Sequence, residues 1–199
     1  MGYQKDRKFT EYIHKKIALK KIYEPLNWEK IKVDKKEIEK IDINKGIDRI
    51  FKNSEDNLIT VQERFRSKEY ENYNDFTIRY TREKNIHHNR RKSEFFKIEA
   101  DYFVYGITNC NKDKINFNCN DFIKFAVIDM KIIKELIDKG IIIIDENSQK
   151  KESFLKNGKL ITPILKNKDD SSEFIALSIP DLNKLDKRAV IFQKGFEYV

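Results

Sequence analysis

The sequence predicts an α/β (α+β) fold in which a mixed central sheet is flanked by helices, and three observations carry that expectation. Residues 5–22 place Phe9, Tyr12, Ile13, Ile17, Leu19 and Ile22 at mostly helical spacing with lysines on the other side. Residues 46–51 and 58–65 alternate as strands around Asn53-Ser54-Glu55-Asp56-Asn57, a hairpin turn. Met130–Lys139 follows Asp129 as N-cap, is closed by Gly140, and lies between the apolar runs 125–128 and 141–144.

Further elements follow the same grammar. Pro25 stands beyond the first helix, Trp28 to Asp42 is charged, and a second short helix is expected over Lys35–Lys40. Phe76–Tyr80 alternates as a strand, and Phe95 to Gly106 is the longest strand candidate, apolar enough toward its end to be central. Phe174–Ile179 reads as a strand, Pro180-Asp181 as a helix start and Ala189–Phe192 as a last strand. Mixed strands and helices of this kind make one layered domain over residues 1–199, with a core at about 40–110, the basic helix 5–22 and a mixed part 111–199.

Composition limits the function classes. The 199 residues carry 41 Lys+Arg against 33 Asp+Glu, a net charge of +8, yet 12% aromatics supply enough apolar surface for a core. No apolar run reaches the roughly 20 residues of a membrane helix, and no unbroken apolar leader is visible, so a soluble cytoplasmic protein is expected. Cys110 and Cys119 are expected as free thiols. There is no Gly-rich phosphate loop, nucleophile elbow or HExxH, and His87-His88 with the two cysteines lack zinc spacing.

The positive charge is local. Residues 98–199 hold 16 Lys/Arg and 16 Asp/Glu, so the whole excess lies in the first half of the chain. Six of nine arginines (Arg64, Arg66, Arg79, Arg82, Arg90 and Arg91) fall within residues 64–91, interleaved with Phe65, Tyr70, Tyr73, Phe76 and Tyr80. Planar guanidinium forks grip phosphate bidentately and aromatic rings pack on sugar and base, so this window is expected to contact nucleic acid.

Chemistry concentrates at Asp48 and Gln62-Glu63-Arg64. Metal-assisted phosphodiester hydrolysis needs oxygen ligands for a divalent ion and a cation near the charged phosphate. Alternation along a strand puts Gln62 and Arg64 on one face and Glu63 on the other with Val61 and Phe65. An acid between Ile47 and Ile50 is costly unless paired or metal-bound.

These residues resemble the PD-(D/E)xK nuclease superfamily, the restriction-endonuclease-like fold. The likeness rests on Gly46-Ile47-Asp48 as the first acidic strand, Thr60–Arg66 as the (D/E/Q)xK strand and Ile98–Gly106 as the strand that follows. No proline precedes Asp48, and Arg64 stands where the family has lysine. The resemblance implies a Mg²⁺-dependent DNA endonuclease, with Mn²⁺ able to substitute, most simply a type II-like restriction enzyme working as a homodimer. It implies Asp48, Gln62, Glu63 and Arg64 as catalytic residues and Asp48, Glu63 and the helix acid Glu11 as metal ligands. Either Gln62 or Glu63 would be the strand ligand, and either Arg64 or Lys97 the cation. Arg66, Arg79, Arg82, Arg90, Arg91 and Lys97 would bind DNA. Two alternatives stand beside it: a non-catalytic nucleic-acid-binding protein on the same scaffold, and a structure-selective resolvase or repair nuclease. Asp101 reads either as a supporting acid or as a strand-edge solubiliser, and His14 as a partly exposed helix residue.

Overall fold

The computed structural model describes residues 2–31, 45–82, 93–112, 118–168 and 172–196. The expected helix over Lys35–Lys40, together with His87, His88, Arg90 and Arg91, lies outside them.

The chain starts as helix α1 (Gly2–Ile13) and continues through His14–Tyr23 in the wider π-helical winding, which ends as the Glu24 and Trp28 N–H groups reach back five residues to Leu19 and Tyr23 carbonyls. The apolar stripe predicted for 5–22 is its buried side: Phe9, Ile13, Ile17, Ala18 and Ile22 are all buried. Two mixed sheets follow, rather than one central sheet. The first runs β1 (Glu29–Lys30), β2 (Arg49–Lys52), β3 (Leu58–Arg66), β5 (Tyr102–Thr108), β6 (Phe122–Asp129), β11 (Val190–Lys194). Only its β3–β5 pair is parallel. The second runs β4 (Asp75–Arg82), β10 (Ser172–Ser178), β9 (Lys159–Lys166), β7 (Ile142–Asp145), with β8 (Phe154–Lys156) also paired to β9. Strands from the first half and the last quarter therefore complete each other's sheets, and the fold is of the mixed α/β class.

Each face of the first sheet has its own cover. The helical N-terminus packs on Phe51, Ile59, Val61, Phe65, Val104 and Val127. On the other face, Phe103, Tyr105, Ile107 and Ile128 meet Phe76, Ile78, Ile175 and Leu177 of the second sheet and helix α3 (Met130–Asp138). Burial on both faces explains why β5 reads as an apolar run instead of an alternation. Gly106 is needed there, because a Cβ would stand 2.6 Å from the Phe122 ring.

The capped helices form where the sequence places them. Asp129 accepts the N–H groups of Lys131 and Ile132 at the start of α3, and Ser178 accepts that of Asp181 at the start of α4 (Ile179–Leu185). Two expectations are corrected. The long strand begins only at Tyr102; Phe95 and Phe96 instead belong to a single turn, α2 (Glu94–Lys97), because the Glu94 carboxylate is drawn inward by Arg64 and by the Arg79 N–H. Cys110 and Cys119 are disulfide-bonded, their Cα atoms 5.0 Å apart, because they stand just beyond the paired ends of β5 and β6.

Candidate functional site

Two clusters flank β3, one on each side, and the alternation of the strand sorts them. Val61, Glu63 and Phe65 are buried toward the helical N-terminus, while Gln62, Arg64 and Arg66 are half-buried on the side of the second sheet.

The Glu63 side is a closed network. Oε1 of Glu63 accepts the Tyr23 hydroxyl at 2.6 Å and His14 Nδ1 at 2.7 Å; Oε2 accepts Arg49 Nε at 3.1 Å. Arg49 Nη2 reaches on to Glu11 at 2.6 Å, so one guanidinium bridges the two acids that the resemblance assigns to a metal. The other ring nitrogen of His14, Nε2, lies 3.3 Å from Lys30 Nζ. His14 is completely buried, contrary to the partly exposed position expected of it.

The charges follow this layout. Burial pushes the Glu63 carboxyl up, but the facing His14 and Arg49 outweigh it and hold it below the usual range. Burial also raises Glu11, yet the hydrogen bond from Lys15 and the Arg49 charge bring it to about 2. Burial and then Glu63 drive Tyr23 well upward. Burial depresses Lys30, and the nearby Arg49 adds to that. A buried carboxylate that already takes a phenol, an imidazole and a guanidinium has its charge compensated and most of its acceptor sites filled without a divalent ion. The Glu11–Glu63 pair does not fit a metal, and Arg49 supplies its counter-charge.

The opposite side is built differently. The β2–β3 ladder ends at the Arg49–Val61 pair, and Asp48 stands just beyond it, beside Gln62 and Glu63 of β3. The Asp48 N–H donates to the Val61 carbonyl, and Asp48 Oδ2 accepts the Glu63 N–H at 2.8 Å. Gln62 Oε1 is buried and has no hydrogen-bond donor among the described residues. It points toward Gly46, where a Cβ would lie 3.4 Å from that oxygen and 3.3 Å from Ile98. Gly46 has φ +59°, which an L side chain rarely adopts, so both backbone and space favour glycine. Asp48, just ahead of β2, and Gln62 on β3 are oxygen-bearing side chains of the kind that hold a divalent ion which keeps several waters. Among the described residues, no three His, Cys, Asp or Glu side chains form a ready-made metal group.

Arg64 lies on this side but is committed to protein contacts. Its Nη2 donates to both Glu94 oxygens, at 2.7 and 2.5 Å, and Nη1 to the Thr77 carbonyl at 2.5 Å. Burial raises the Glu94 carboxyl, but Arg64 and the Arg79 N–H hold it low. Arg66 donates to Thr77 Oγ1 and lies over the Tyr70 ring, 5.2 Å from its centre. Arg79 and Lys97 are half-buried on β4 and α2. Arg82 ends β4, its side chain outside the described residues, as are Arg90 and Arg91. Asp101 accepts both the N–H and hydroxyl of Thr60, which makes it a clamp between the ends of β3 and β5.

Sequence reasoning missed Tyr23, Arg49 and Glu94. Arg49 had a signal: it follows Asp48 in the expected strand 46–51, so alternation sets it on the opposite face. Tyr23 and Glu94 carried none, because their partners are 40 and 30 residues away. Among the described residues, no helix is long and apolar enough to cross a membrane. Comparison with family models, curated proteins and solved structures finds no match for the chain.

Proposed function

We propose that this chain is a metal-dependent DNA endonuclease, of the type II-like restriction class, acting at the Asp48–Gln62 side of β3. The buried Gln62 oxygen without a donor among the described residues carries this reading, since such an acceptor is normally met by protein, water or a bound ion; Gln193 Oε1 shares that state, but Gln62 alone lies beside an acid, Asp48. Asp48 and Gln62 would hold Mg²⁺ or Mn²⁺, which when bound polarises a phosphate and lowers the pKa of a water nucleophile. Arg64, whose guanidinium also holds Glu94 and Thr77, or Lys97 would supply the cation that stabilises the charged phosphate. Arg66, on the same face of β3 as Gln62, and Arg79 of β4 would contact the DNA backbone, and a homodimer would let two such sites cut both strands.

A second reading, a non-catalytic nucleic-acid-binding protein, is favoured by one observation: two of the assigned catalytic groups, Glu63 and Arg64, are locked in internal ion pairs. Incubation with plasmid and branched DNA in Mg²⁺ or Mn²⁺, for the wild type and Asp48→Ala, separates the two. Discrete fragments that disappear in the variant and with chelator support the restriction enzyme, and nicking of branched DNA alone a resolvase. Intact DNA with binding retained supports the binder.

A further inference from the structure

Among the described residues, four large apolar side chains are exposed: Leu58, Tyr73, Phe96 and Ile191. Isolated exposed apolar residues are ordinary. Phe96 differs in what lies beneath it. Its ring, 40% exposed, leans on Tyr80 at 5.2 Å and meets Phe95 edge-on at 5.0 Å, while Phe95 itself packs on Tyr80 at 5.3 Å. Three rings thus brace one another, and Tyr80 is anchored by burial, so the outer ring is held at low entropic cost.

The place of this ring matters as much as its support. Phe96 belongs to the α2 turn, with Lys97 next to it, and Ile98 two residues on lines the space between Gly46 and the Gln62 oxygen. The acid at the start of the turn, Glu94, is neutralised by Arg64. Residues 61–97 hold ten Lys/Arg against six Asp/Glu. A rigid aromatic face beside cations is the recognition chemistry of an unstacked nucleobase whose phosphates are held nearby. In intact duplex that base face is already stacked on its neighbours and cannot meet the ring.

We infer that Phe96 is a stacking platform for a base unstacked from the duplex beside the phosphate to be cut, so that the enzyme grips its duplex substrate where it is locally opened; this rests on the nuclease reading above. Tyr80 and Phe95 fix the platform, Lys97 meets the adjoining phosphate, and the Asp48–Gln62 side receives the phosphate to be cut.

The test is fluorescence-anisotropy binding of a labelled single strand and of its matching duplex, in chelator so that no cleavage intervenes, for the wild type, Phe96→Ala and Phe96→Trp. Phe96→Ala is expected to weaken single-strand binding about tenfold and leave duplex binding roughly unchanged, with Phe96→Trp restoring it. A 2-aminopurine base in the strand should be quenched by the wild type and less so by Phe96→Ala. Equal affinities of wild type and Phe96→Ala for the single strand, in a protein that cleaves DNA when metal is added, overturn the platform alone. Absence of any DNA binding by the wild type overturns the nuclease reading and the platform together.

Discussion

Arg64 on β3 and Glu94 at the start of α2 form an ion pair that closes the open edge of β4, the terminal strand of the second sheet. Arg64 takes the outward carbonyl of Thr77, and Glu94 takes the outward N–H of Arg79. Unpaired edge groups are a liability in any sheet, and here they are satisfied by a pair that also ties the two sheets together.

Breaking that pair should be costly. Arg64 and Glu94 side chains are 19% and 9% exposed, so Glu94→Gln or Arg64→Ala leaves a nearly buried charge unpaired and should cost about 3 kcal/mol. Urea melts check this, and the double variant Arg64→Met/Glu94→Leu should recover part of the loss. Single variants as stable as the wild type would show that the pair does not hold the edge.

The Glu63 network should make folding acid-sensitive. Glu11, depressed to about 2 from an ordinary 4.5, contributes stability that is present above 4.5 and lost as the pH falls toward 2. Thermal melts from pH 6 to pH 2 should therefore fall more steeply for the wild type than for Glu11→Gln. Parallel curves would contradict the role given to the Arg49 bridge.

Asp75 should act with the opposite sign. Burial raises it to about 6 from 3.8, so its protonated form is favoured in the fold, and stability is lost as the pH rises from about 4 through 6. Asp75→Asn should remove that component, gaining relative to the wild type between pH 4 and pH 7. No change in the difference across this window would contradict it.

The disulfide should be measurable chemically. Under denaturing conditions without reductant, thiol titration should find no free cysteine, and Cys110→Ser/Cys119→Ser should lose about 2–3 kcal/mol, as expected for a short closed loop. Two titrating thiols would overturn the pairing.

What the sequence revealed was governed by locality. The α1 stripe, the 53–57 turn, the Asp129 and Ser178 caps and the opposite faces of Gln62 and Glu63 all follow from patterns within a few residues. The division into two sheets did not, because it depends on β4 pairing with β10, about 97 residues later. Glu94 looked like the approach to a strand because its partner, Arg64, is set by tertiary packing. Glu63 looked like a ligand because nothing local announces that His14 and Tyr23 fold onto it. Arg64 looked like a phosphate contact for the same reason.

The most direct measurement is a Mn²⁺ binding titration, by electron paramagnetic resonance or calorimetry, on the wild type, Asp48→Ala, Gln62→Ala and Glu11→Gln, each shown to be folded. The expected result is binding that Asp48→Ala abolishes, Gln62→Ala weakens and Glu11→Gln leaves intact, since Glu11 is held by Arg49 and Lys15. Binding that survives Asp48→Ala, or that is lost with Glu11→Gln, would contradict the assignment of the site to the Asp48–Gln62 side of β3.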